Sequence, residues 1–424
     1  MNYQESLDWI HATERFGSRL GLKRMQELLH RLGDPQKGLP VIHIAGTNGK
    51  GATATLIAEA LQAAGFCTGK YISPFVLEFR ERMQLDGEMI PRETLAALAT
   101  EVRAAAEAMA AEGMPPTEFE LVTAIGFLWF HRSPSELAVM EVGLGGRLDA
   151  TNVIDPPLVT VLARIDYDHT AILGDTLTAI AGEKCGIIKP GSRVVAYPDQ
   201  EEEALTVIRN RCREEGVPLT LPDRSEIKVL EESLSGNRFL YQGTEYTVPL
   251  AGPHQVLNAV TALTALAGLD NTPFAVPLKA RQAGLAAVHF PARFEVIRQD
   301  PPVLLDGAHN PNGADALAGA LRDLRETGLT AVCGMLRDKD CRSAIGRVAP
   351  FCRRMIITSV ANPRACPPEE LAKIAREFCS DVTVEPDLKK AIAAALADGS
   401  GVLVFGSLYL ASDARPLLKE VVQA

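Results

Sequence analysis

A glycine-rich loop at residues 46–51, between an apolar run and a helical run, is the feature that most constrains the fold. The apolar run over residues 41–45 is typical of a buried strand, and residues 52–64 carry apolar side chains at helical spacing. Three glycines in the loop let the backbone turn tightly and approach a ligand closely. A strand, a glycine loop and a helix N-terminus in this order predict a phosphate-binding site, to which Lys50 adds a full positive charge.

The loop departs from the standard phosphate-loop pattern directly after its lysine. That pattern has Ser or Thr there to hold Mg²⁺. Here Gly51 and Ala52 follow the lysine, and the first hydroxyls belong to Thr53 and Thr55. A plain glycine turn between a strand and a helix is the alternative interpretation. A lysine inside the pattern GxxGKG argues against a plain turn, so we keep the prediction of phosphate binding.

Composition and charge argue against several classes of partner. The 424 residues are 47% hydrophobic, which is enough for two or three domains with cores of their own. A formal net charge of −10 disfavours binding to nucleic acid or to an anionic membrane. No apolar run approaches the ~18 residues of a membrane-spanning helix, and no targeting segment follows Met1. We therefore expect a cytoplasmic monomer, and the eight cysteines, which show no CxxC pairing, are expected to be reduced thiols.

Three further polar residues stand where ligands of α/β sheets are usually bound. Glu141 lies in the apolar strand predicted over residues 137–142, and glycines follow it at 143–146. A strand-terminal acid beside a phosphate loop is a usual ligand of Mg²⁺, directly or through water. The alternative is a partly exposed glutamate on an edge strand. His169 follows a later strand, although isolated histidines are mostly structural, and Lys184 ends a helix, where the helix dipole alone favours a cation.

The chain is predicted to form two domains, residues 1–292 and residues 293–424. Strands and helices alternate regularly in the second, which predicts a parallel sheet with helices on both faces, as in Rossmann-like domains. It has no GxGxxG pattern, so dinucleotide binding is not expected. Asp306 and His309 follow its first strand and are expected to face a ligand. In the first domain, the polar residues 76–91 are predicted to form a loop over the site.

Ten sequence blocks, spread from about residue 20 to residue 410, occur in an order that resembles one enzyme family. The blocks are AGTNGKGA, YISPF, EVGLGGRLDATN, DHTAILGDT, IAGEKCGIIKPG, GPHQVLNA, PARFE, LDGAHNP, ANPRA and FGSLYL. Together they resemble the folylpolyglutamate synthases and dihydrofolate synthases of the Mur ligase superfamily. The set is specific, although a single block such as the glycine loop is not.

The resemblance implies an α/β fold with an N-terminal Mur ligase-like phosphate-loop ATPase domain and a C-terminal Rossmann-like ligase domain. It also implies a reaction. A carboxylate of the pterin substrate attacks the γ-phosphate of ATP, and the amine of L-glutamate then displaces phosphate from the acyl phosphate to form an amide. Carboxylate and triphosphate are both anions, so charge neutralisation and positioning dominate the catalysis.

The resemblance also implies roles for particular residues, each of which is an expectation for this chain. The expected ATP contacts are Thr47, Asn48, Gly49, Lys50, Gly51, Ala52, Asn258, Arg293, Asp306 and His309. The expected Mg²⁺ ligands are Ser73, Glu141 and His169. The expected substrate contacts are Gly21, Leu22, Phe75, Phe119, Leu148, Asp149 and Ala150. The expected catalytic residues are Lys50, Glu141, His169 and Lys184. A monovalent cation is left open.

Lys184 matches a lysine that the family carries as a carbamate. Since CO₂ adds only to an unprotonated amine, this lysine is expected to be desolvated or to lie beside other cations. Three departures from the family pattern accompany it: Ala52 replaces the usual Ser or Thr, Phe75 replaces a histidine found in many members, and Cys185 replaces the commoner alanine.

Several functions remain open at this point. We favour a ligase that acts on both dihydropteroate and folate polyglutamates, because the length and the motif set resemble bacterial enzymes with both activities. A ligase restricted to one of these substrates is the next alternative. A ligase of cell-wall precursors and a nucleotide-binding protein without ligase chemistry are the others, the last because of Ala52.

Overall fold

The structure is a computed structural model that describes residues 1–13, 21–75 and 78–423. The chain divides into two compact units. Unit 1 comprises Met1–Arg224 and Leu257–Leu285, and unit 2 comprises Ser225–Val256 and Ala286–Ala424. The domain boundary after residue 292 stays a prediction.

Unit 1 is built on an eight-stranded sheet. Its strands are β1 (Val41–Ala45), β2 (Thr68–Tyr71), β3 (Met83–Leu85), β4 (Glu88–Met89), β5 (Leu137–Glu141), β6 (Val159–Leu162), β7 (Arg193–Ala196) and β8 (Leu219–Thr220). They lie in the order β4-β3-β2-β5-β1-β6-β7-β8, and all pairs from β2 to β8 are parallel. Every residue of β1 and β5 is buried, so both faces of the sheet are covered at its centre.

The polar stretch that we predicted as a loop, residues 76–91, has regular structure, so this prediction is wrong. Residues 76 and 77 lie outside the described residues, and a 3₁₀ turn follows at Phe79–Arg82. Strands β3 and β4 then add an antiparallel edge to the sheet, with β3 paired to β2. The physical reason is that Met83 is buried in the apolar core, and this burial holds β3 against the sheet despite the charged residues before it.

Helices surround the sheet of unit 1. They are α1 (Tyr3–Ala12), α2 (Lys23–Arg31), α3 (Lys50–Ala63), α4 (Arg92–Ala111), α5 (Glu118–Arg132), α6 (Thr170–Leu173), α7 (Leu177–Lys184), α8 (Glu202–Glu215), α9 (Pro253–Ala267) and α10 (Leu278–Ala287), the last two for most of their length. One apolar cluster joins α1, α2, α4 and α5 to the sheet, and another joins α7 and α8 to it. These clusters fix the loops that follow the central strands.

Unit 2 contains two sheets. The first is antiparallel, with β9 (Ile227–Ser233), β10 (Gly236–Tyr241) and β11 (Thr244–Val248) in the order β11-β10-β9. The strands of the second are β12 (Glu295–Gln299), β13 (Pro302–Leu305), β14 (Leu329–Cys333), β15 (Cys352–Ile357), β16 (Val382–Val384) and β17 (Val402–Phe405). Their order is β12-β13-β17-β14-β15-β16, and only β12 pairs antiparallel to its neighbour.

Five further helices pack with this second sheet: α11 (Pro311–Asp323), α12 (Cys341–Val348), α13 (Pro368–Ala375), α14 (Leu388–Ala397) and α15 (Leu408–Gln423). The predicted α/β class is therefore confirmed in both units. The sequence analysis missed the edge strand β12, whose residues Glu295 and Arg298 made it look like a polar connection.

The structure bears on two expectations drawn from composition, which concern membrane-spanning helices and the cysteines. Within residues 1–13, 21–75 and 78–423, no helix combines the length and the apolar character that a membrane crossing requires. All eight cysteines are free thiols, as we predicted from their spacing.

Candidate functional site

Four segments of the predicted site follow neighbouring parallel strands. The sheet places β2, β5, β1 and β6 side by side, all running in the same direction. Ser73 follows β2, Glu141 ends β5, the glycine loop follows β1, and His169 follows β6. The carboxyl ends of parallel strands meet at one edge of a sheet, where α/β proteins bind their ligands. The topology thus assembles segments that are separated by as much as about 120 residues in sequence.

The glycine loop owes its shape to two glycines with positive φ. Gly46 has φ +157° and Gly49, the N-cap of α3, has φ +82°. Only glycine adopts such angles without strain. A Cβ added at Gly49 would also overlap the side chain of Asn258 in α9, so Asn258 lies directly against the loop. Asn258 is one of the predicted ATP contacts.

Hydrogen bonds hold the loop to the segment after β6. The amides of Thr47 and Asn48 donate to the carbonyl oxygen of Arg164, at 2.7 and 3.1 Å. The Thr47 hydroxyl donates to the Asp166 carbonyl at 2.9 Å and accepts from the Asp166 amide at 3.0 Å. The loop therefore does not depend on its ligand for its conformation, which lowers the entropic cost of binding.

Lys50 and Glu141 bring opposite charges together at the start of α3. Lys50 Nζ lies 3.9 Å from Glu141 Oε1 and donates to the Thr47 carbonyl at 3.3 Å. The Glu141 side chain is buried on a central strand, so the alternative of an exposed edge-strand glutamate does not apply. Its second oxygen accepts from the Ser73 amide at 3.2 Å.

Lys184 is a buried amine against the same loop. It is 4% exposed, and its Nζ donates to the carbonyl oxygen of Gly46 at 2.9 Å. Burial, reinforced by the positive charge of Lys50, lowers the pKa of Lys184 to about 7. A large neutral fraction is therefore present near neutral pH, as the sequence-based expectation required.

The second glycine-rich stretch, residues 143–146, packs against the end of the helix that carries Lys184. A Cβ added at Gly146 would come within 3.0 Å of backbone atoms of Glu183 and Lys184, so the two backbones are in direct contact. The Arg147 amide also donates to the Glu183 carbonyl at 2.8 Å. Any side chain at Gly146 would displace the end of α7 and, with it, the Lys184 amine.

The residues predicted to bind Mg²⁺ differ in how closely they are associated. Ser73 and Glu141 are in contact, and both offer the oxygen ligands that Mg²⁺ prefers. His169 has φ +48°, its amide donates to Asp168 Oδ1 at 2.9 Å, and its ring lies 3.8 Å from the same carboxylate. Among the described residues, no three His, Cys, Asp or Glu side chains form a group that could hold a metal. Ser73 and Glu141 fit an ion that takes its remaining ligands from phosphate and water.

Ala52 carries no hydroxyl, and the hydroxyls of the next two threonines are buried or hydrogen-bonded within α3. Ala52 is 4% exposed at the first turn of α3. The Thr55 hydroxyl donates to the Gly51 carbonyl at 2.9 Å, inside the helix. The Thr53 hydroxyl is fully buried, with no hydrogen-bond partner within the described part of the chain. The Thr55 hydroxyl is thus engaged within the helix, and the Thr53 hydroxyl is shielded from solvent.

Three of the predicted substrate contacts share one apolar cluster. Ala150 is buried in it, and Phe75 and Phe119 pack at its margin. The Phe119 ring lies so close to the backbone of Gly143 that a Cβ there would overlap it. Leu148 is exposed, and Gly21 and Leu22 lead into α2, which packs on the cluster. An apolar surface of this kind suits a flat aromatic ligand.

The side chain of Asp149 organises its own loop. Its carboxylate accepts from the Leu144 amide at 2.9 Å, from the Thr151 amide at 3.0 Å and from the Thr151 hydroxyl at 2.5 Å. Burial raises the pKa of Asp149 above its ordinary value. The Thr151 hydroxyl donates to Asp149, so it accepts from His43 Nε2, which lies 2.8 Å away and therefore carries the ring proton.

Unit 2 brings three predicted ATP contacts onto adjoining loops. The Asp306 carboxylate accepts from the Phe294 and Ala308 amides, both at 2.6 Å. Burial raises the pKa of Asp306, although the charge of Arg293 opposes the shift. His309 Nδ1 lies 2.8 Å from the Gly307 carbonyl, which can only accept, so this nitrogen carries a proton. Asp306 thus ties the Arg293 loop to the His309 loop.

Several residues that support the site were missed by the sequence analysis. Arg82 donates to Ser73 Oγ at 2.9 Å, and its guanidinium lies 5.2 Å from the centre of the Phe75 ring. Arg24 pairs with the buried Glu120 at 3.0 Å and so holds the start of α2 to the start of α5. Glu120 also completes a capping box with Thr117, and this motif was the available sequence signal.

Two family models match the chain. The Mur ligase middle domain matches residues 44–266, and the Mur ligase glutamate ligase domain matches residues 292–408. These matches define the chain as a Mur ligase, and they cover both the glycine loop and the Arg293 loop.

Relatives match over nearly the whole chain. The dihydrofolate synthase/folylpolyglutamate synthase of Bacillus subtilis is 36% identical over 98% of this chain and 99% of its own length. The folylpolyglutamate synthase of Lacticaseibacillus casei is 37% identical over 99% of each. Among solved structures, Mycobacterium tuberculosis folylpolyglutamate synthase complexed with ADP and AMPPCP superposes with a TM-score of 0.88, at 32% identity over 98% of this chain and 99% of that one.

The chain belongs to the dihydrofolate synthase/folylpolyglutamate synthase family of Mur ligases. It is an ATP-dependent, amide-forming ligase, as the sequence blocks predicted.

Proposed function

We propose that the protein joins L-glutamate both to dihydropteroate and to the γ-carboxylate of folate mono- and polyglutamates. The observation that carries the proposal is the sheet edge where Lys50, Glu141 and the buried amine of Lys184 meet around one glycine loop. The double name of the Bacillus subtilis relative, matched over nearly its full length, supports both activities. The Lacticaseibacillus casei relative bears only the second name, so the two activities require separate tests.

The proposed reaction has two displacements. A substrate carboxylate oxygen bonds to the γ-phosphorus of ATP while the bond to the β-phosphate oxygen breaks, and ADP leaves. The glutamate amine then bonds to the acyl carbon, phosphate leaves, and the amine loses a proton to a base. Lys50 and the amides of Gly49, Gly51 and Ala52 neutralise the phosphate charge, so that the carboxylate can approach a triphosphate. The amides of Thr47 and Asn48 donate to the Arg164 carbonyl, so these two residues contribute by fixing the shape of the loop.

The Ser73 hydroxyl and the Glu141 carboxylate would hold Mg²⁺, with His169 as the third proposed ligand, and the Glu141 carboxylate also accepts from the Ser73 amide. When bound, the ion would neutralise charge on the phosphate oxygens. Arg82 holds the Ser73 hydroxyl, and Lys50 faces the Glu141 carboxylate, so this chain keeps both groups oriented.

Lys184 is proposed to carry a carbamate. The neutral amine attacks CO₂, forms a nitrogen–carbon bond and loses one proton to solvent, which converts the neutral amine into an anionic carbamate. Its depressed pKa and its burial favour the neutral amine that this step needs. The carbamate nitrogen keeps one hydrogen, which can still donate to the Gly46 carbonyl. The resulting carboxylate would act as an extra acidic group alongside the carboxylate of Glu141.

The remaining assignments follow the family pattern. Asn258, Arg293, Asp306 and His309 are proposed to contact ATP. Phe75, Phe119, Leu148, Asp149 and Ala150, together with Gly21 and Leu22, are proposed to line the substrate site. Given the buried carboxylate of Asp149, we assign its contact to the backbone and its side chain to loop shape. A role for a monovalent cation, a cytoplasmic location and a monomeric state remain predictions.

The test is phosphate release from ATP with Mg²⁺, L-glutamate and either dihydropteroate or a reduced folate monoglutamate. Turnover on both substrates, lost when glutamate is omitted, would support the double activity. Turnover on one substrate alone would restrict the enzyme to that branch. ATP binding without turnover on either would contradict the proposal, and a nucleotide-sugar peptide would then be tested as the acceptor. Lys50→Ala serves as the inactive control, and the exposed Arg103→Ala serves as the active control.

A further inference from the structure

The loop formed by residues 291–295 has an unusual backbone for its sequence. Ala292 has φ +51° and Phe294 has φ +50°, and Arg293 lies between them. L-residues with a Cβ disfavour this left-handed region, and a bulky aromatic residue does so strongly. Two such residues flanking one arginine require surrounding contacts that hold them in place.

Two carboxylates hold this backbone from opposite sides. The Asp306 carboxylate accepts from the Phe294 amide at 2.6 Å, and the Glu295 carboxylate accepts from the Ala292 amide at 2.9 Å. The Ala292 carbonyl in turn accepts from the Gly307 amide at 2.9 Å. The peptide groups on both sides of Arg293 are thus fixed, and so is the direction in which its side chain leaves the backbone.

Glu295 is held by an arginine from the last helix. Arg415 Nε in α15 lies 2.9 and 2.7 Å from the two oxygens of Glu295, and the side chains are only 14% and 8% exposed. Arg415 Nη2 also lies 3.1 Å from His289 Nε2. A guanidinium can only donate, so His289 accepts with this nitrogen. Burial alone would raise the pKa of Glu295, but the hydrogen bonds from Arg415 and Ala292 outweigh it, and the pKa is lowered.

We propose that Glu295 and Arg415 are a positioning pair that orients Arg293 toward the nucleotide. The inference rests on the proposed function, in which Arg293 contacts ATP. Arg415 acts through Glu295 on the amide of Ala292, and it need not touch the nucleotide. Asp306 holds the Phe294 amide and Gly307 holds the Ala292 carbonyl, but the Ala292 amide is held by Glu295. Without the pair this amide is released, and the backbone at residue 292 can relax to a conformation with negative φ.

The test compares four variants of the full-length protein. Arg293→Ala removes the proposed ATP contact, Arg415→Ala and Glu295→Gln remove the positioning pair, and Arg415→Lys keeps its charge. The control is Arg347→Ala, which breaks an ion pair of unit 2 between α12 and α11, at 2.6 Å, without touching the loop. The measurements are KM for ATP, kcat and the Kd of the non-hydrolysable analogue AMPPCP.

We expect Arg293→Ala, Arg415→Ala and Glu295→Gln each to raise the Kd of AMPPCP and KM for ATP at least tenfold, with kcat at saturating ATP reduced less than threefold. Arg415→Lys should recover most of the affinity, and Arg347→Ala should match the wild type. Hydrogen exchange of residues 291–295 should accelerate at least tenfold in Arg415→Ala and Glu295→Gln, with exchange in α11 to α14 unchanged.

The outcomes separate the two proposals. An unchanged Kd in Arg293→Ala would overturn the assigned ATP contact and leave the loop without the proposed role. If the Kd of AMPPCP rises in Arg293→Ala but is unchanged in Arg415→Ala and Glu295→Gln, only the proposal of the positioning pair is overturned. If Arg415→Ala unfolds unit 2, as shown by exchange throughout its sheet, Glu295→Gln decides, because it keeps the size of the side chain while removing the charge that pairs with Arg415.

Discussion

The protein shapes its two predicted nucleotide loops in different ways. In unit 1 the loop after β1 takes positive φ at Gly46 and Gly49, where no side chain opposes the turn. In unit 2 the loop before β12 takes positive φ at Ala292 and Phe294, and each of these costs roughly 1 kcal/mol or more relative to an ordinary conformation. Glycine permits the first shape, whereas the carboxylates of Asp306 and Glu295 enforce the second.

This difference teaches where sensitivity to mutation lies. A loop shaped by glycine is vulnerable at the glycines themselves and robust to changes elsewhere, because its conformation is intrinsic to the chain. A loop shaped by hydrogen bonds to carboxylates is vulnerable at those remote side chains, and its own residues could change to glycine with little loss. The largest effects of mutation are expected for the groups around the glycine loop.

The largest effect is expected for Lys184→Ala, which removes the buried amine beside Gly46. We expect a loss of at least ~10³-fold in kcat, since an anion that stabilises charge in a buried site contributes several kcal/mol. Acetate, added at tens of millimolar, should restore part of the activity by occupying the vacated volume. The measurement is kcat for phosphate release with and without acetate.

The matched control for that experiment is Lys189→Ala, which removes a half-buried lysine that donates to the carbonyls of Asn152 and Ile154 and lies off the loop. It should show no acetate response, whatever its activity. Full activity of folded Lys184→Ala without acetate would exclude the carbamate.

Glu141→Ala is expected to have the next largest effect. It removes the carboxylate that faces Lys50 at 3.9 Å and holds the Ser73 amide. We expect a fall of at least ~10²-fold in kcat/KM, because charge stabilisation through a bound ion is worth several kcal/mol. Near-normal turnover in a folded Glu141→Ala variant would remove this residue from the site. The isosteric Glu141→Gln distinguishes loss of charge from loss of packing.

The glycine loop itself can be tested with two glycines at opposite ends of α3. Gly49 has φ +82° and Gly65 has φ +93°, so alanine is strained at both by roughly 1 kcal/mol. A Cβ at Gly49 overlaps Asn258, whereas nothing lies within 4 Å of a Cβ at Gly65. We therefore expect Gly49→Ala to raise KM for ATP about tenfold and Gly65→Ala to leave it unchanged.

Both variants should lose stability because alanine is strained at positive φ. Gly65→Ala shows the effect of this strain without any contact to Asn258. Equal KM values for the two variants, at comparable unfolding midpoints, would mean that the contact between Gly49 and Asn258 has no role in nucleotide binding. Stability is measured by urea unfolding, and KM by phosphate release under saturating folate and glutamate.

The same contrast explains how much of the molecule the sequence predicted. Strand β1 was placed at residues 41–45, where the structure has it, because a short apolar run before glycines has few alternative readings. Glu141 and the glycine loop could be grouped because a strand-terminal acid beside a phosphate loop is a recognisable pattern, and the family blocks added Ser73 and Lys184. Local pattern was sufficient for the first two only.

The supporting contacts could not be predicted in the same way. Glu295 and Arg415 are 120 residues apart in the sequence, and nothing in either segment specifies the other. The burial of Met83, which turns the charged stretch before it into the edge of a sheet, likewise depends on tertiary packing. Charged residues that pair when buried look, in the sequence, like ordinary surface residues.

The smallest effect is expected for Ala292→Gly, which gives the loop of unit 2 a glycine at a position of positive φ, as in the loop of unit 1. Ala292→Gly places glycine at φ +51°, which removes the strain that the Glu295–Arg415 pair opposes. Relief of strain and the greater chain entropy of glycine in the unfolded state nearly cancel, so the free energy of unfolding should change by no more than about 0.5 kcal/mol. KM for ATP in the single variant should stay within about twofold of the wild type.

The informative quantity is the coupling free energy between Ala292→Gly and Arg415→Ala in ATP binding, that is, the departure of the double variant from additivity. If the pair acts by enforcing a strained backbone, Arg415→Ala should weaken ATP binding about threefold less in the Ala292→Gly background than in the wild-type background, a coupling of about 0.7 kcal/mol. If Arg415 instead contributes through its charge alone, the two losses should be additive, because glycine at position 292 changes no charge. Additivity would break the comparison between the loops, since the loop in unit 2 would then not depend on an enforced conformation, whereas coupling would show that glycine and the ion pair are two solutions to the same steric problem.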